Sequence, residues 1–195
     1  YPVSFFATPE SHNTPRASSR SGGIIYSRYA YAVSAFIPAI PFIHSGFELG
    51  EAFPVNTGLG FTPEELQNYS SEQLPLFSEY AYDWMKDDSL IKWIQKISAI
   101  RKKYRSLIID SSSSTFIWIE TGHQDLLAFI RSHDHGKTGL FVLANSNMYR
   151  ETEYAIDIQG KKQSMRDICT DTEFKYENNK LNCCLSAGQV VLFEL

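Results

Sequence analysis

The sequence predicts an α/β segment followed by an all-β segment, joined at residues 110–114. Apolar residues recur at helical spacing before the joint, whereas short runs of β-branched and aromatic residues alternate with turn formers after it. At the joint, four consecutive serines follow Asp110, a composition typical of a linker. We therefore predict an α/β part at residues 1–109, a serine-rich linker at 110–114 and a β part at 115–195.

The first part contains signals for two parallel strands with a helix between them. The apolar runs Phe5–Ala7 and Ile40–Ile43 are candidates for buried parallel strands, and residues 23–36 are apolar nearly all round, as in a helix enclosed by a larger assembly. This order of strand, helix and strand is that of the closing quarter of a TIM (β/α)8 barrel. No internal repeat is evident.

Two further helices are predicted before the linker. Thr62, Pro63 and Glu65 combine an N-cap, a first-turn proline and the reciprocal Glu of a capping box, which predicts a short helix from Pro63 to about Tyr69. An amphipathic stripe predicts a longer helix that begins at Leu90 and has Arg101, Lys102 and Lys103 in its last turns.

The second part has the pattern of a small antiparallel β-sandwich. Seven or eight strands are expected, with turns at residues 134–136 and 178–179. The predicted strands are Thr115–Glu120, Leu126–Ser132, Gly139–Asn145, Thr152–Ile158, Glu173–Tyr176, Leu181–Leu185 and Gln189–Glu194.

Composition and charge exclude several classes of protein. The chain has 195 residues, 43% of them hydrophobic, which is enough to bury a core. With 18 Lys and Arg against 22 Asp and Glu and no basic stripe, we expect no nucleic-acid partner. Ser34, Pro38 and Pro41 interrupt the longest apolar stretch, so we expect no membrane partner. Three cysteines, including adjacent Cys183 and Cys184, predict reduced thiols in a cytoplasmic protein.

Polar residues follow both predicted parallel strands. Residues 8–16, Thr-Pro-Glu-Ser-His-Asn-Thr-Pro-Arg, follow the first strand, and residues 44–51, His-Ser-Gly-Phe-Glu-Leu-Gly-Glu, follow the second. Because active sites of α/β barrels lie at the carboxyl ends of the strands, we expect the two polar segments to form a site.

These segments, in this order, resemble the alpha-amylase superfamily of glycoside hydrolases and transglycosylases over essentially the whole chain. Residues 10–16 look like the family's motif after the seventh barrel strand, usually Asn-His-Asp and often continued by Thr-Pro-Arg. Residues 40–50 resemble the proline-rich eighth strand and its Gly-x-Glu loop, and residues 90–107 resemble the last barrel helix with its Leu-Arg-Lys ending. Residues 46–55 also resemble a branch of maltosyltransferases that extend glucans.

The resemblance implies the C-terminal part of a retaining enzyme acting on α-linked glucans. It places the nucleophile and the acid/base carboxyl upstream of Tyr1, so we expect the isolated chain to be inactive and to need the N-terminal remainder of the barrel as a partner. It places the family's third catalytic carboxylate at Asn13. An amide retains an acceptor oxygen there but loses the negative charge that would stabilise an oxocarbenium-like transition state.

Four further residues are candidates for substrate binding, each with a plainer interpretation. The resemblance makes His12 a sugar contact, which we favour over the alternative of an ordinary loop histidine. Glu10 and Arg16 belong either to the sugar subsite or to an exposed ion pair. Trp84, in the loop before the long helix, offers an aromatic face suited to the apolar face of a sugar.

Other polar residues are assigned structural roles. Glu48 and Glu51 are expected to structure their loop rather than act as acids, and His44 is expected to be a packed core histidine. The remaining histidines lie in predicted turns without a metal-ligand pattern, so we expect no metal and no cofactor.

Two classes of function remain open from the sequence. The first is glycoside hydrolysis or glycosyl transfer by the full-length enzyme, between which the sequence does not choose. The second is a non-catalytic glycan-binding or structural module, in which the sandwich stabilises a partner domain.

Overall fold

A pair of parallel strands joined by a helix opens the structure. The computed structural model describes residues 5–54, 62–68, 82–85, 89–158 and 163–195. Strand β1 (Phe6–Ala7) pairs in parallel with strand β2 (Ile40–Pro41), and helix α1 (Ile24–Phe36) connects them. Helix α1 ends before Pro38, because the residue preceding a proline avoids the helical region, and Ile37 is extended with ψ 160°.

The prediction that β1 is buried is wrong for its first residue. Phe6 is 71% exposed and Phe5 66% exposed, whereas Ala7 is buried. Among the described residues β1 pairs only with β2, so its outer edge and the Phe6 side chain lack covering neighbours.

Three more α-helices follow within the described residues. Helix α2 (Pro63–Gln67) begins where the capping box predicts; Tyr69, its expected end, lies outside the described residues. The amphipathic helix is α3 (Ser89–Lys103), which ends in the predicted turns, and the segment 90–107 that resembles the last barrel helix also contains a short helix α4 (Arg105–Ile108). The break at Tyr104, with φ −101° and ψ 21°, redirects the chain so that the last residues of α4 are buried in the core.

The predicted antiparallel β-sandwich is confirmed. The described residues after 115 form eight strands in two four-stranded sheets, here the inner sheet in the order β10-β5-β4-β3 and the outer sheet in the order β6-β9-β8-β7. The strands are β3 (Phe116–Trp118), β4 (Leu126–Arg131), β5 (Leu140–Asn145), β6 (Thr152–Asp157), β7 (Ser164–Arg166), β8 (Glu173–Glu177), β9 (Lys180–Leu185) and β10 (Val190–Glu194). The strand β7 is the one that the sequence pattern misses.

Three of the four inner strands, β4, β5 and β10, are buried on both faces. Strands β4, β5 and β10 are continuous apolar runs because α1, α3 and α4 cover one face and the outer sheet covers the other. Along β5, Val142 packs toward the helices and Leu143 toward the outer sheet. Strands β6 and β9 instead alternate buried and more exposed residues, as expected for a sheet with one face in solvent.

Helices give way to strands where the serine-rich linker is predicted. Residues 113–115 form one 3-10 turn, and strand β3 begins at Phe116. Residues from both sides of this point, including Ile97 and Leu192, share one hydrophobic cluster. The domain boundary at residues 110–114 therefore stays a prediction.

Candidate functional site

The loop after β1 is closed by hydrogen bonds within itself. Thr14 donates its backbone N–H to the Ser11 carbonyl at 3.2 Å, and the Ser11 N–H donates to the Thr14 hydroxyl at 3.0 Å. The Asn13 N–H donates to the Ser11 hydroxyl at 3.2 Å. This compact turn holds His12, whose side chain is exposed, next to half-buried Asn13.

Glu10 and Arg16, at the two ends of this loop, form a buried ion pair. The Arg16 Nη1 donates to Glu10 Oε1 at 2.6 Å, and the two side chains are 1% and 0% exposed. The other oxygen of Glu10 accepts the Ala17 N–H at 2.6 Å. The alternative of an exposed ion pair is therefore wrong. Burial raises the pKa of the Glu10 carboxyl, and the contacts with Ala17 and Arg16 oppose that rise.

Arg16 also connects the first loop to the loop after β2. Its Nη1 donates to the Ser45 carbonyl at 2.8 Å, and its Nε donates to the Phe53 carbonyl at 2.9 Å. Its Nη2 donates to the Tyr82 hydroxyl at 3.2 Å, and that hydroxyl donates to the same Ser45 carbonyl at 3.1 Å. The planar guanidinium thus joins three chain segments in one fixed arrangement.

His44 lies directly against the buried pair. Its Nδ1 is 2.8 Å from Arg16 Nη1 and 3.8 Å from Glu10 Oε1. Burial and the positive charge of Arg16 lower the pKa of His44, with a smaller contribution from His12 in the same direction. The expectation of a packed core histidine is only half met, since the side chain retains 16% exposure.

The His44 ring also faces the first loop. The ring centroids of His12 and His44 are 6.4 Å apart. The loops after β1 and β2 therefore bring two imidazoles together, as expected for the carboxyl ends of adjacent parallel strands.

Trp84 reaches the same region through Tyr82. The two aromatic rings meet edge to face, with centroids 6.2 Å apart and planes at 86°. Trp84 is 61% exposed. Its indole ring therefore presents an accessible aromatic surface next to Tyr82, which itself contacts Arg16.

Gly46 lets Tyr82 approach the loop after β2. Its φ of +92° is unfavourable for other residues, and a Cβ there would lie 2.8 Å from the Tyr82 ring. Glu48 accepts the Gly46 N–H at 3.0 Å, and Glu51 accepts the N–H groups of Ala52 and Phe53. Both carboxylates hold backbone groups of their own loop, the structural role expected for them.

The site thus contains two kinds of residue. The predicted contacts His12, Asn13 and Trp84 have accessible side chains, and their binding roles stay predictions. Glu10 and Arg16 are enclosed and engaged with the protein, so the structure supports a positional role for them.

Two residues of the cluster were not predicted to take part in it. Tyr82 lies 66 residues after Arg16, and nothing in the sequence pattern signals their contact. His44 directly precedes the Gly-x-Glu loop, a position at the end of a parallel strand that could have indicated a site residue.

Metal ligands and membrane spans are both absent from the described part of the chain. No group of three or more His, Cys, Asp or Glu there is arranged to hold a metal ion. No helix in that part is long and apolar enough to cross a membrane.

Comparison with known proteins identifies the fold. No family model matches the sequence, and no curated protein matches it. Among solved structures, an Anoxybacillus alpha-amylase matches with a TM-score of 0.71 and 14% identity over 98% of this chain. A cyclomaltodextrinase matches with a TM-score of 0.71 and 14% identity over 98% of this chain. The protein AmyP, in complex with maltose, matches with a TM-score of 0.68 and 10% identity over 97% of this chain.

The chain matches only part of each of these structures. The chain spans 38%, 29% and 40% of those three structures, respectively. An identity this low reports the fold, and the coverage limits that fold to a portion of the larger proteins. The chain therefore has the fold of a portion of these structures.

Proposed function

We propose that this chain is the C-terminal part of an enzyme that acts on α-linked glucans by hydrolysis or glycosyl transfer with retention. Strands β1 and β2 are the last two strands of its (β/α)8 barrel. The N-terminal remainder of the barrel is the partner that supplies the nucleophile and the acid/base carboxyl, and the isolated chain is inactive.

The observation that carries this proposal is the meeting of two loops at the ends of parallel strands. Strands β1 and β2 are parallel and pair Phe6 with Ile40 and Ala7 with Pro41. The loops that follow the two strands therefore begin at the same edge of the pair. The loops that follow bring the His12 and His44 rings within 6.4 Å. Catalytic and binding residues of barrel enzymes occupy this position.

The accessible side chains suit a sugar ligand. His12 and Asn13 supply polar groups for hydroxyls, and Trp84 supplies an exposed aromatic face for the apolar side of a pyranose. The buried Glu10–Arg16 pair fixes the loop that carries the first two residues, which limits the conformational entropy lost on binding.

The amide at Asn13 determines the expected level of activity. A carboxylate at this position would face the positive charge that develops at the anomeric carbon, whereas an amide cannot balance it. We expect Asn13→Asp in the full-length enzyme to raise kcat by roughly 10²–10³, with a smaller change in KM because the interaction strengthens mainly in the transition state. Steady-state kinetics on α-glucans measures both constants.

The matched control is Asn13→Ala, which removes the amide and should weaken glucan binding. If both substitutions leave kcat and KM for α-glucans within about twofold, Asn13 does not contact the substrate and the proposed site is wrong.

The neutral Asn13 also favours a second candidate, a non-catalytic glycan-binding or structural module. The two candidates differ in what lies upstream of residue 1. A full-length open reading frame with the nucleophile Asp and acid Glu motifs supports the enzyme, and one without them supports the module.

We also propose that the protein works in a reducing compartment such as the cytoplasm. Its three cysteines are free thiols. Cys169 and Cys183 are buried in two different hydrophobic clusters. A disulfide-dependent parent would require pairs that these positions do not form.

A further inference from the structure

The contact between Arg16 and His44 determines which ring nitrogen of His44 carries a proton. Arg16 Nη1 shares its two hydrogens among Glu10 Oε1, the Ser45 carbonyl and His44 Nδ1, and an arginine side chain has no acceptor for an Nδ1 proton. The Nδ1 of His44 is therefore the acceptor and carries no proton. A neutral imidazole has one N–H, so it is the Nε2 that carries the proton.

Burial and the charge of Arg16 disfavour a proton on the His44 ring. Both lower its pKa, while Glu48 opposes this effect. The Glu10 carboxylate, 3.8 Å from Nδ1, is itself paired with Arg16. His12 adds a second group that disfavours a proton on His44.

The His44 side chain is partly accessible. Its Nδ1 faces Arg16 and Glu10, which are enclosed, and 16% of the side chain remains exposed. In the described part of the chain, no protein acceptor for the His44 Nε2–H is recorded. The His12 ring lies 6.4 Å away, measured between ring centroids.

We propose that His44 is a further ligand-contacting residue of this site, held by Arg16 in the tautomer that donates a hydrogen bond from Nε2 to an oxygen of a bound α-glucan. This inference rests on the proposed function and adds a specific polar contact to it. Sugars present hydroxyl, ring and glycosidic oxygens that can accept such a bond. Arg16 acts here as a positioning residue, because it contacts the ligand only through His44.

Two substitutions separate the two nitrogen positions of His44. In His44→Asn, the side-chain carbonyl takes the place of Nδ1 and can accept from Arg16, but nothing replaces the Nε2–H. In His44→Gln, the amide group reaches the position of Nε2 and can donate there, while the Nδ1 acceptor is lost.

The experiment measures binding of maltoheptaose to the full-length enzyme by isothermal titration calorimetry. We expect His44→Asn to bind about three- to tenfold more weakly than wild type, the effect of one lost hydrogen bond. We expect His44→Gln to bind within about threefold of wild type and more tightly than His44→Asn. A purely structural His44 gives the opposite order, because only the Asn variant retains the contact with Arg16.

The calorimetric results can contradict the role of His44 without contradicting the proposed function. If the wild-type enzyme binds maltoheptaose and His44→Asn binds as tightly as His44→Gln or more tightly, the inference alone is overturned. If the wild-type enzyme binds no maltoheptaose, the proposed function fails and the inference falls with it.

A second measurement reads the tautomer without any ligand. In nitrogen-15 NMR spectra of the labelled 195-residue chain, we expect the His44 Nδ1 signal in the range of an unprotonated imidazole nitrogen and Nε2 in that of a protonated one. The reverse assignment, or a doubly protonated ring at neutral pH, overturns the inference.

Discussion

Arg16 is 1% exposed, yet each of its three side-chain nitrogens has a hydrogen-bond partner. A buried ion pair contributes little net stability compared with apolar residues of equal volume, because desolvation offsets the attraction. The role of Arg16 is instead to position the site, because its planar guanidinium fixes the loops after β1 and β2 relative to each other.

The three cysteines should differ in their reactivity toward alkylating reagents. Burial raises the pKa of both Cys169 and Cys183 to about 12, whereas Cys184 is exposed. We expect iodoacetamide to alkylate Cys184 alone in the folded chain, and slowly at neutral pH because the Glu151 carboxylate raises its pKa. Mass spectrometry of the digested protein locates the label.

The control is Cys184→Ser, which should take up no label unless denaturant is added. Rapid labelling of Cys169 or Cys183 in the folded protein would show that the core opens there.

Asp134 makes stability depend on pH. Hydrogen bonds from Ser132 and Thr138 to its carboxylate hold the pKa well below the ordinary value of 3.8. A lowered pKa means that the stabilisation is fully present above pH 3.8 and is lost as pH falls toward the folded-state pKa. We expect Asp134→Asn to melt at a lower temperature than wild type at pH 7, with the difference shrinking below about pH 4.

Thermal unfolding followed by circular dichroism at a series of pH values tests this. A difference in Tm that stays constant from pH 7 to pH 3 would mean that the Asp134 carboxylate does not stabilise the turn.

The predictability of the site differs from residue to residue. Glu10 and Arg16 belong to one short motif, so their pairing could be predicted from the sequence. Their burial could not, because the groups that enclose them come from Phe53 and Tyr82, 37 and 66 residues beyond Arg16. The contact of His44 with Arg16 could not be predicted for a similar reason, because the two residues are 28 positions apart.

At the scale of elements, Arg131 joins the end of the helical part to the inner sheet. It is fully buried at the end of β4, and its Nη2 contacts the carbonyls of Leu107, Ile108 and Asp110 at 2.9, 3.3 and 2.5 Å. The last carbonyls of a helix have no partner within the helix, so a cation placed there both neutralises and caps them. Arg131 thereby holds α4 against the sandwich.

We expect Arg131→Met to lower the free energy of unfolding by about 2–4 kcal/mol, since it leaves several buried carbonyls without a charged donor. Urea denaturation measures the change. The matched control is Lys103→Met, which removes a cation whose ion pair with Glu194 is exposed and should therefore change the free energy of unfolding much less. Equal losses for both variants would contradict the capping role of Arg131.

The strands of the inner sheet agree with their predicted bounds to within about two residues at each end. Their apolar runs are long and bounded by turn residues, so the sequence signal is strong. Strand β7 (Ser164–Arg166) carries no such signal, because its three residues include only one apolar side chain, Met165. The end of α3 is predicted by Arg101, Lys102 and Lys103 in its last turns, whereas the four residues of α4 are too few to show a helical period.

At the scale of the whole molecule, the helices and the sandwich depend on a shared core. Phe36 and Ile97 from the helices pack in one cluster with Phe129, Val142 and Leu192 from the inner sheet. Separating the two parts would expose the apolar faces of both. At the opposite end, Phe5, Phe6, Ile40 and Phe42 already present an apolar surface around β1 and β2.

We therefore expect a fragment of residues 1–109 to aggregate, because it exposes both the helix faces and the free edge of β1. Size-exclusion chromatography and thermal unfolding, with the 195-residue chain as control, test this. A monomeric fragment with a cooperative melt would contradict the assignment of β1 and β2 to an incomplete barrel.

The position of β10 in the inner sheet has a consequence for biosynthesis. This strand is made after all the others described, yet Val190 and Leu192 pack against residues of the helical part. While the ribosome is still translating the sandwich, the nascent helices have no complete sheet to cover them. The chain thus passes through a period of exposed apolar surface that ends only when residues 190–194 emerge, and chaperone binding should be concentrated in that interval.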